Sequence, residues 1–312
     1  MTTDSNTYKH LFGPVPSRRF GRSLGVDLIP FKTCCYDCVF CQLGQTTNLT
    51  LNRKEYVPLQ EVLNEFDHWL EKSGQADQIT LAGSGEPTLY KGFGKIIAHI
   101  KARTDIPVAI LTNGAVLHNA EVRKSASKAD IVKISLSAWN EETFQQINRP
   151  CDGLTFDMLV EGEIAFRKEF KNKLFMEVFV IDGINSEPDQ IKKIAQIAEK
   201  IKPDMVQLNT AVRPPAESFV QPVGKEKLLE LAQIFEPEAE IIAAYKAAAG
   251  SEIKVNEKEI FEMLLRRPCT ARQIADVFAM HLNEVSKYIG KLLADKKIKS
   301  IERNKEIYYS AE

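Results

Sequence analysis

Ser23-Leu24-Gly25-Val26-Asp27-Leu28-Ile29 is a short apolar run that leads through Pro30-Phe31 into Lys32-Thr33-Cys34-Cys35-Tyr36-Asp37-Cys38-Val39-Phe40-Cys41-Gln42-Leu43-Gly44. The first segment reads as a strand, so the cysteines fall on the loop at its C-terminal end. In parallel α/β folds the site is built at the C-terminal ends of the strands. Working outward, Gln78–Ala82, Pro107–Thr112, Ile131–Ser137, Leu174–Ile181 and Met205–Asn209 repeat the strand signal. Between them Leu59–Lys72, Gly92–Arg103, Phe156–Phe170 and Glu187–Ile201 carry apolar residues three and four apart, the period of a helix with one buried face. The alternation predicts βα units and a parallel sheet. Periodicity fits both a partial barrel and an open doubly wound sheet.

The totals are those of an ordinary globular protein: 312 residues, 44% hydrophobic, 27% charged and a formal net charge of −1. That length suggests two domains. Near-zero net charge gives no global attraction to nucleic acid or membrane. No apolar run approaches the roughly 18 residues of a membrane span. Met1–Lys9 is polar and lacks a signal-peptide core, so a cytoplasmic protein is expected.

Six cysteines (34, 35, 38, 41, 151 and 269) occur, four of them within eight residues. In a reducing compartment that density reads as metal binding rather than as a disulfide framework. The spacing C-x3-C-x2-C of Cys34, Cys38 and Cys41 can wrap one face of a cubane and leave the fourth iron without a protein ligand. Structural zinc wants four closed ligands, and no second cysteine pair or histidine pair is present, although Cys35 lies near enough to serve as a fourth. The register Cys35-x2-Cys38-x2-Cys41 is open as well, with Cys34 then spare.

The pattern changes after about residue 235. Phe235–Glu240 and the Ala-rich Ala243–Ala249 lead to Gly250-Ser251, where a domain boundary is expected. Beyond it Asn256 can cap a helix running to Arg267, Thr270 with Gln273 forms a capping box for Ala271–Ala279, and Asn283 can cap Glu284–Asp295. Ile298–Glu302 and Glu306–Ser310 flank Arg303-Asn304-Lys305 as a hairpin. Three helices and a terminal hairpin predict a winged helix-turn-helix. Residues from Ile253 to Glu312 hold twelve Lys plus Arg against nine Asp plus Glu. Lys287, Tyr288 and Lys291 on its third helix, with Lys299, Arg303 and Lys305 on the hairpin, are the candidate phosphate contacts for a nucleic-acid partner.

The cysteine loop, with aromatic Phe40 just before its last cysteine, resembles the radical SAM superfamily. The likeness extends from Gly13 to about Ala243 and is nearest to wyosine-type tRNA-modifying Fe–S oxidoreductases. It is carried by Gly13-Pro14-Val15-Pro16-Ser17-Arg18-Arg19, by Gln42-Leu43-Gly44, by Gly83-Ser84-Gly85-Glu86-Pro87-Thr88, by Thr112-Asn113-Gly114 and by Arg213-Pro214-Pro215. The resemblance implies a [4Fe–4S] cluster on Cys34, Cys38 and Cys41. It implies that the open iron chelates S-adenosylmethionine, and that an electron from the cluster cleaves this cofactor to a 5′-deoxyadenosyl radical, which abstracts hydrogen from the substrate. With it, the expected fold is a partial (β/α)6 barrel over residues 1–250 followed by a winged helix-turn-helix over residues 251–312.

Several residues are expected to line the cofactor. Gly83, Ser84, Gly85 and Glu86 follow a strand directly; glycines permit close backbone approach, and the Glu86 carboxylate or nearby carbonyls can accept from an ammonium. The resemblance implies that this loop holds the amino group of S-adenosylmethionine. Phe40, Asn113 and Ser135 complete the cofactor set, and Ser137 stands where the family often has Asp. Arg18, Arg19 and Arg22 form a basic cluster, and Arg213 is placed for an anionic group. Cys151 follows Arg149-Pro150 where the family commonly has His, so no role passes to it; Cys269 and the five histidines carry none. Wyosine-forming relatives bear a second cluster on further cysteines, mostly upstream, and none precedes Cys34, which argues against that reaction. The expected function is a radical SAM enzyme acting on a nucleic-acid base or small metabolite, with a flavodoxin or ferredoxin as electron donor. The alternative is an iron–sulfur redox-sensing DNA-binding regulator.

Overall fold

The computed structural model describes residues 8–17, 21–72, 74–242, 257–265, 267–278, 280, 282–303 and 306–311. It opens with an antiparallel pair, β1 (Leu11–Ser17) and β2 (Gly21–Val26). The cysteine loop follows, pinched by two short parallel strands, β3 (Thr33–Cys34) and β4 (Asn48–Leu49). Then come α1 (Leu59–Lys72), β5 (Gln78–Leu81), α2 (Phe93–Arg103), β6 (Val108–Leu111), α3 (Ala120–Ala126) and β7 (Ile131–Ser135). The chain continues through α4 (Glu141–Asn148), α5 (Phe156–Glu169), β8 (Lys173–Val180), α6 (Pro188–Ile201), β9 (Met205–Thr210), α7 (Lys225–Ala232) and β10 (Glu240–Ile241). Local signals start these helices: Asn140 and Thr143 cap α4 reciprocally, Thr155 caps α5, and Pro188 occupies the first turn of α6.

The central sheet runs β1-β2-β5-β6-β7-β8-β9-β10, parallel throughout except for β1. Spatial order thus follows chain order. A doubly wound sheet reverses order at its switch point, so this α/β sheet is of the kind consistent with a partial barrel. The six predicted strands are all present; the prolines of Gly13–Ser17 lie on β1, an edge strand, where a missing N–H is tolerated.

Period-two alternation divides the sheet into unlike faces. One face carries Leu24, Val26, Ile79, Leu81, Val108, Ile110, Val132, Ile134, Leu174, Met176, Val178, Val206 and Leu208, all buried in the main core. The register places Thr80, Ala109, Ile131 and Lys173 in one row on the other face. Along that face lie Ser23, Gln78, Thr80, Lys133 and Gln207, buried but polar. Ser23 and Thr80 share a hydroxyl hydrogen bond of 2.7 Å, and Lys133 pairs with Glu177 at 2.8 Å. Closed barrels fill such a face with branched aliphatics; here it is built to remain polar.

The C-terminal unit has its own core, around Ile260, Phe278, Val285 and Leu292. It comprises α8 (Glu257–Leu264), β11 (Cys269–Thr270), α9 (Ala271–Phe278), α10 (Leu282–Ala294), β12 (Ile298–Arg303) and β13 (Glu306–Ala311), with sheet order β11-β13-β12. The predicted capping box is present: Thr270 N–H donates to Gln273 Oε1 and Gln273 N–H to Thr270 Oγ1, each at 3.1 Å. Asn283 is not a cap, because α10 begins one residue earlier, at Leu282. The Asn256 cap and the Gly250–Ser251 boundary lie outside the described residues. Helices α8 and α9 pack against β1 and so cover the free edge of the large sheet. Among the described residues no helix is long and apolar enough to cross a membrane.

Candidate metal and cofactor site

The cysteine loop is held from three sides. Its base is closed by Thr33 beside Asn48 and Cys34 beside Leu49. Along its back runs the segment after α4: Asp37 N–H donates to Arg149 O, Val39 N–H to Ile147 O, and Cys151 N–H to Cys35 O, at 3.0–3.1 Å. Within it Asp37 Oδ1 accepts from Thr46 N–H at 2.6 Å. Phe40 stacks on Phe179 of β8, ring centroids 4.1 Å apart and nearly coplanar in orientation, which seats the loop's aromatic on the polar-lined side of the sheet.

Cys34, Cys38 and Cys41 are half-buried, whereas Cys35 is fully buried. Each of the three half-buried sulfurs accepts one N–H from a different element. Lys32 Nζ donates to Cys41 Sγ at 3.2 Å and Asn148 Nδ2 to Cys38 Sγ at 3.4 Å, while Asn113 Nδ2 is shared between Cys34 Sγ at 3.5 Å and Cys35 Sγ at 3.3 Å. Burial pushes the Cys35 and Cys38 thiols well above their usual value, and a hydrogen bond from Cys35 holds Cys34 below its own. Cys35, unlike the other three, is a fully buried member of the main core. Among the described residues no three His, Cys, Asp or Glu side chains converge where a single ion would sit. A cubane asks for something else, one thiolate at each of three irons.

The Gly83–Glu86 loop is tied to the cysteine loop rather than standing free. Lys32, in the left-handed region at φ 58°, donates its N–H to Ser84 O at 2.7 Å, and Glu86 N–H donates to Thr33 O at 3.2 Å. A Cβ on Gly85 would stand 1.9 Å from Thr33 O, so the glycine is required for loop-on-loop contact. Ser84 donates N–H and hydroxyl to the Asp27 carboxylate at 3.1 and 2.6 Å. The Glu86 carboxylate, expected to face an ammonium, turns inward. It accepts from Thr88 N–H and Oγ1, from Thr112 Oγ1 and from Asn113 N–H, at 2.5–3.0 Å. What the loop leaves for a ligand is its backbone carbonyls.

Asn113 sits between Glu86 and the sulfurs. Gly114 follows at φ 81°, and a Cβ there would meet Glu163 Oε1 at 2.4 Å. Glu163 is fully buried, neither carboxylate oxygen has a hydrogen-bond partner among the described residues, and burial pushes its pKa well up. Ser135 ends β7 half-exposed on the polar face, next to Glu177. Ser137 is spent structurally, its Oγ accepting Phe179 N–H at 3.0 Å. Arg213 donates to Gln42 Oε1 of the cysteine loop at 3.1 Å. Cys269 is buried in the C-terminal core. Arg18 and Arg19 lie outside the described residues, and Arg22 pairs with Asp77 on the outside.

A sequence profile of the radical SAM superfamily matches residues 28–198. Over 248 residues the chain is 35% identical to a UPF0026 protein of Methanocaldococcus jannaschii, covering 79% of this chain and 76% of that one. The chain is a radical SAM protein of the UPF0026 group. It is also 39% identical over 295 residues to a Brachyspira hyodysenteriae protein named GTPase Obg; the match takes in 93% of this chain but only 43% of that one. Among solved structures, Streptococcus suis SuiB bound to S-adenosylmethionine aligns with a TM-score of 0.53 at 15% identity, over 76% of this chain and 54% of that one. A radical SAM methyltransferase from Sphaerobacter thermophilus gives 0.52 at 17% identity, over 72% and 67%. At those identities the likeness speaks for the fold alone.

Radical SAM enzymes use a [4Fe–4S] cluster and S-adenosylmethionine. In this radical SAM protein the donor set fits such a cluster. Three half-buried sulfurs each receive an N–H, the arrangement that stabilises thiolate, while the fourth cysteine of the loop is fully buried in the core. Lys32 and Asn148 were not foreseen as sulfur donors. Lys32 lies two residues before the first cysteine, a positional hint; Asn148 is brought to Cys38 only by the α4 segment folding back.

Proposed function

We propose that this chain binds a [4Fe–4S] cluster through Cys34, Cys38 and Cys41 and catalyses reductive cleavage of S-adenosylmethionine, directing the product radical at a substrate's C–H bond. The observation that carries it is the convergence of Lys32, Asn113 and Asn148 on those three sulfurs, with the Gly83–Glu86 loop bonded to the same cysteine loop. When bound, the cluster supplies the electron that breaks the carbon–sulfur bond of the sulfonium, leaving methionine and a 5′-deoxyadenosyl radical that takes a hydrogen atom.

The remaining work belongs to the chain. The carbonyls of Gly83 and Gly85 would accept from the cofactor's ammonium, while Ser84 O holds Lys32 N–H and Glu86 fixes that loop against Asn113. Phe40 on Phe179 walls the site from water, and Ser135 offers a hydroxyl from the polar face. Residues 1–250 form the catalytic domain, a partial (β/α)6 barrel, and residues 251–312 a winged helix-turn-helix. An acidic flavodoxin or ferredoxin serves as donor, in the cytoplasm. The DNA-regulator alternative is disfavoured because Lys299 and Arg303, its expected backbone contacts, turn toward the barrel. Lys305 lies outside the described residues.

The test is anaerobic reconstitution, reduction with dithionite and quantitation of 5′-deoxyadenosine. Wild type should form it, and Cys38→Ala should not. A Cys38→Ala protein that turned over at the wild-type rate would end the proposal, as would a colourless, zinc-loaded wild type.

A further inference from the structure

A cleft of about 970 Å³ lies between the C-terminal unit and the flank of the cysteine loop. One wall is Asp27, Phe31, Gln42–Gly44 and Ser84; the opposite wall is Arg267, Lys299, Ile301 and Arg303. Strand β12 shows why. Lys299, Ile301 and Arg303 share one face by period-two alternation, and Ile298, on the other, is buried in the unit's own core. The wing strand therefore presents two cations and an apolar side chain to the barrel, and Arg267, just beyond α8, adds a third cation.

None of Arg267, Lys299 or Arg303 is ion-paired among the described residues. Arg303 donates to Pro215 O at 3.3 Å and Arg267 to Met263 Sδ at 3.4 Å. The acids nearby are engaged: Asp27 by Ser84, Glu61 by Lys9 and His10 at the rim, and Glu306, opposite Arg303, by the Tyr308 hydroxyl. The floor is apolar, with Pro30, Leu43, Pro214 and Leu264, and Phe31 stands 58% exposed at the mouth. Three cations without an ion-pair partner among the described residues, facing Asp27 as the one carboxylate of the lining, outnumber it over an apolar floor, and suit an anion that carries a flat or apolar body. A cavity this size takes a nucleotide-sized group, whereas a globular redox partner could not enter it.

We infer that this cleft binds a phosphate-bearing, ring-containing ligand, its phosphate on Arg267, Lys299 and Arg303 and its ring on Phe31 and the prolines. This rests on the enzyme proposed above, whose substrate the ligand would be, delivered beside the cysteine loop by the C-terminal unit. The same chemistry comes from a free nucleotide or from a strand of RNA, and two probes separate them.

Fluorescence anisotropy of the anaerobically reconstituted protein is measured with N-methylanthraniloyl-GTP and with a short fluorescein-labelled single-stranded RNA. At least one probe should bind wild type and lose about tenfold or more in affinity in K299E/R303E and in R267E, because phosphate contacts are charge-dominated. The charge-matched control K192E/K200E, on exposed positions of α6, should retain it. Binding confined to the RNA identifies a strand as the source; binding of the nucleotide identifies the free form. The inference is overturned if neither probe binds, if the cleft variants stay within about twofold of wild type, or if the control falls equally. Circular dichroism checks folding, and Arg267→Ala is the milder variant should the reversals misfold. Formation of 5′-deoxyadenosine by wild type without either probe is read in parallel, so failure of the enzyme proposal is distinguishable from failure of the cleft.

Discussion

Glu86→Gln should be costly although it changes one atom. The carboxylate stands 3% exposed and accepts four hydrogen bonds, Thr88 N–H and two hydroxyls on Oε1 and Asn113 N–H on Oε2. A glutamine must put its NH2 where one oxygen was. In one orientation it opposes Asn113 N–H, now 2.8 Å away; in the other it opposes Thr88 N–H, now 3.0 Å away. Hydroxyls can rotate to accept, but a backbone N–H cannot, so one buried donor is orphaned whichever way the amide turns. An orphaned buried donor costs about 1–3 kcal/mol, and the surviving bonds lose their charge assistance, giving roughly 2–4 kcal/mol in all. For a domain of this size that is a melting temperature lower by about 5–15 °C. The assay is anaerobic thermal unfolding of the cluster-free protein followed by circular dichroism, with iron content after reconstitution as second readout. Iron should fall too, because the displaced Asn113 is the N–H donor to Cys34. A variant melting within about 2 °C of wild type would refute the buried-clamp role of Glu86.

Glu163→Met should stabilise the fold by about 1–3 kcal/mol at neutral pH, since it replaces a buried carboxyl without a hydrogen-bond partner among the described residues by an apolar chain of similar size. The gain should depend on pH: folded Glu163 keeps its proton above the pH at which the unfolded chain releases it, so wild type loses stability as pH rises from about 4.5. Urea midpoints at acid and neutral pH should therefore diverge upward, and an equal gain at both would count against it. Lys32→Met should make the cluster harder to reduce, because a cation donating to Cys41 Sγ favours the more negative reduced state. Loss of one charged hydrogen bond of about 1.4 kcal/mol corresponds to roughly 60 mV for one electron. Potentiometric titration followed by electron paramagnetic resonance reads it, and an unchanged or raised potential would contradict it.

The six parallel strands were legible because each is a short apolar run between helices of clear period. Predicted Gln78–Ala82 is Gln78–Leu81 in the fold, and Leu174–Ile181 is Lys173–Val180. The cysteine spacing was legible because ligand geometry forces it. What could not be read was contact at long separation. Asn148 reaches Cys38 from 110 residues away, through an α4 segment that pairs backbone to backbone with the cysteine loop. Glu86 looked like a ligand group because a carboxylate after two glycines suits an ammonium. Beyond the local Thr88, its partners are Thr112 and Asn113, neighbours only once β5 and β6 align. Asn283 looked like a cap because asparagine before an acidic turn is the usual signal, yet α10 begins at Leu282.

The two faces of the central sheet explain why such a molecule tolerates buried polarity. The outer face, with Leu24, Ile79, Ile110, Val132 and Met176 fully covered, supplies the apolar burial that holds the domain together. Were the inner face equally aliphatic, it would pack shut and gain stability, leaving no chamber beside the cysteine loop. Ser23, Thr80, Lys133 and Gln207 forgo that gain, each needing a hydrogen bond to offset its desolvation. The C-terminal unit repeats the trade. Its helices α8 and α9 cover the β1 edge, while β12 turns Lys299 and Arg303 toward the cysteine-loop side of the cleft. Cations facing a cleft cost stability through mutual repulsion unless an anion arrives. Lys299 and Arg303 stand on the one face of β12 turned toward the cysteine loop, which is why the proposed ligand would sit between the C-terminal unit and that loop.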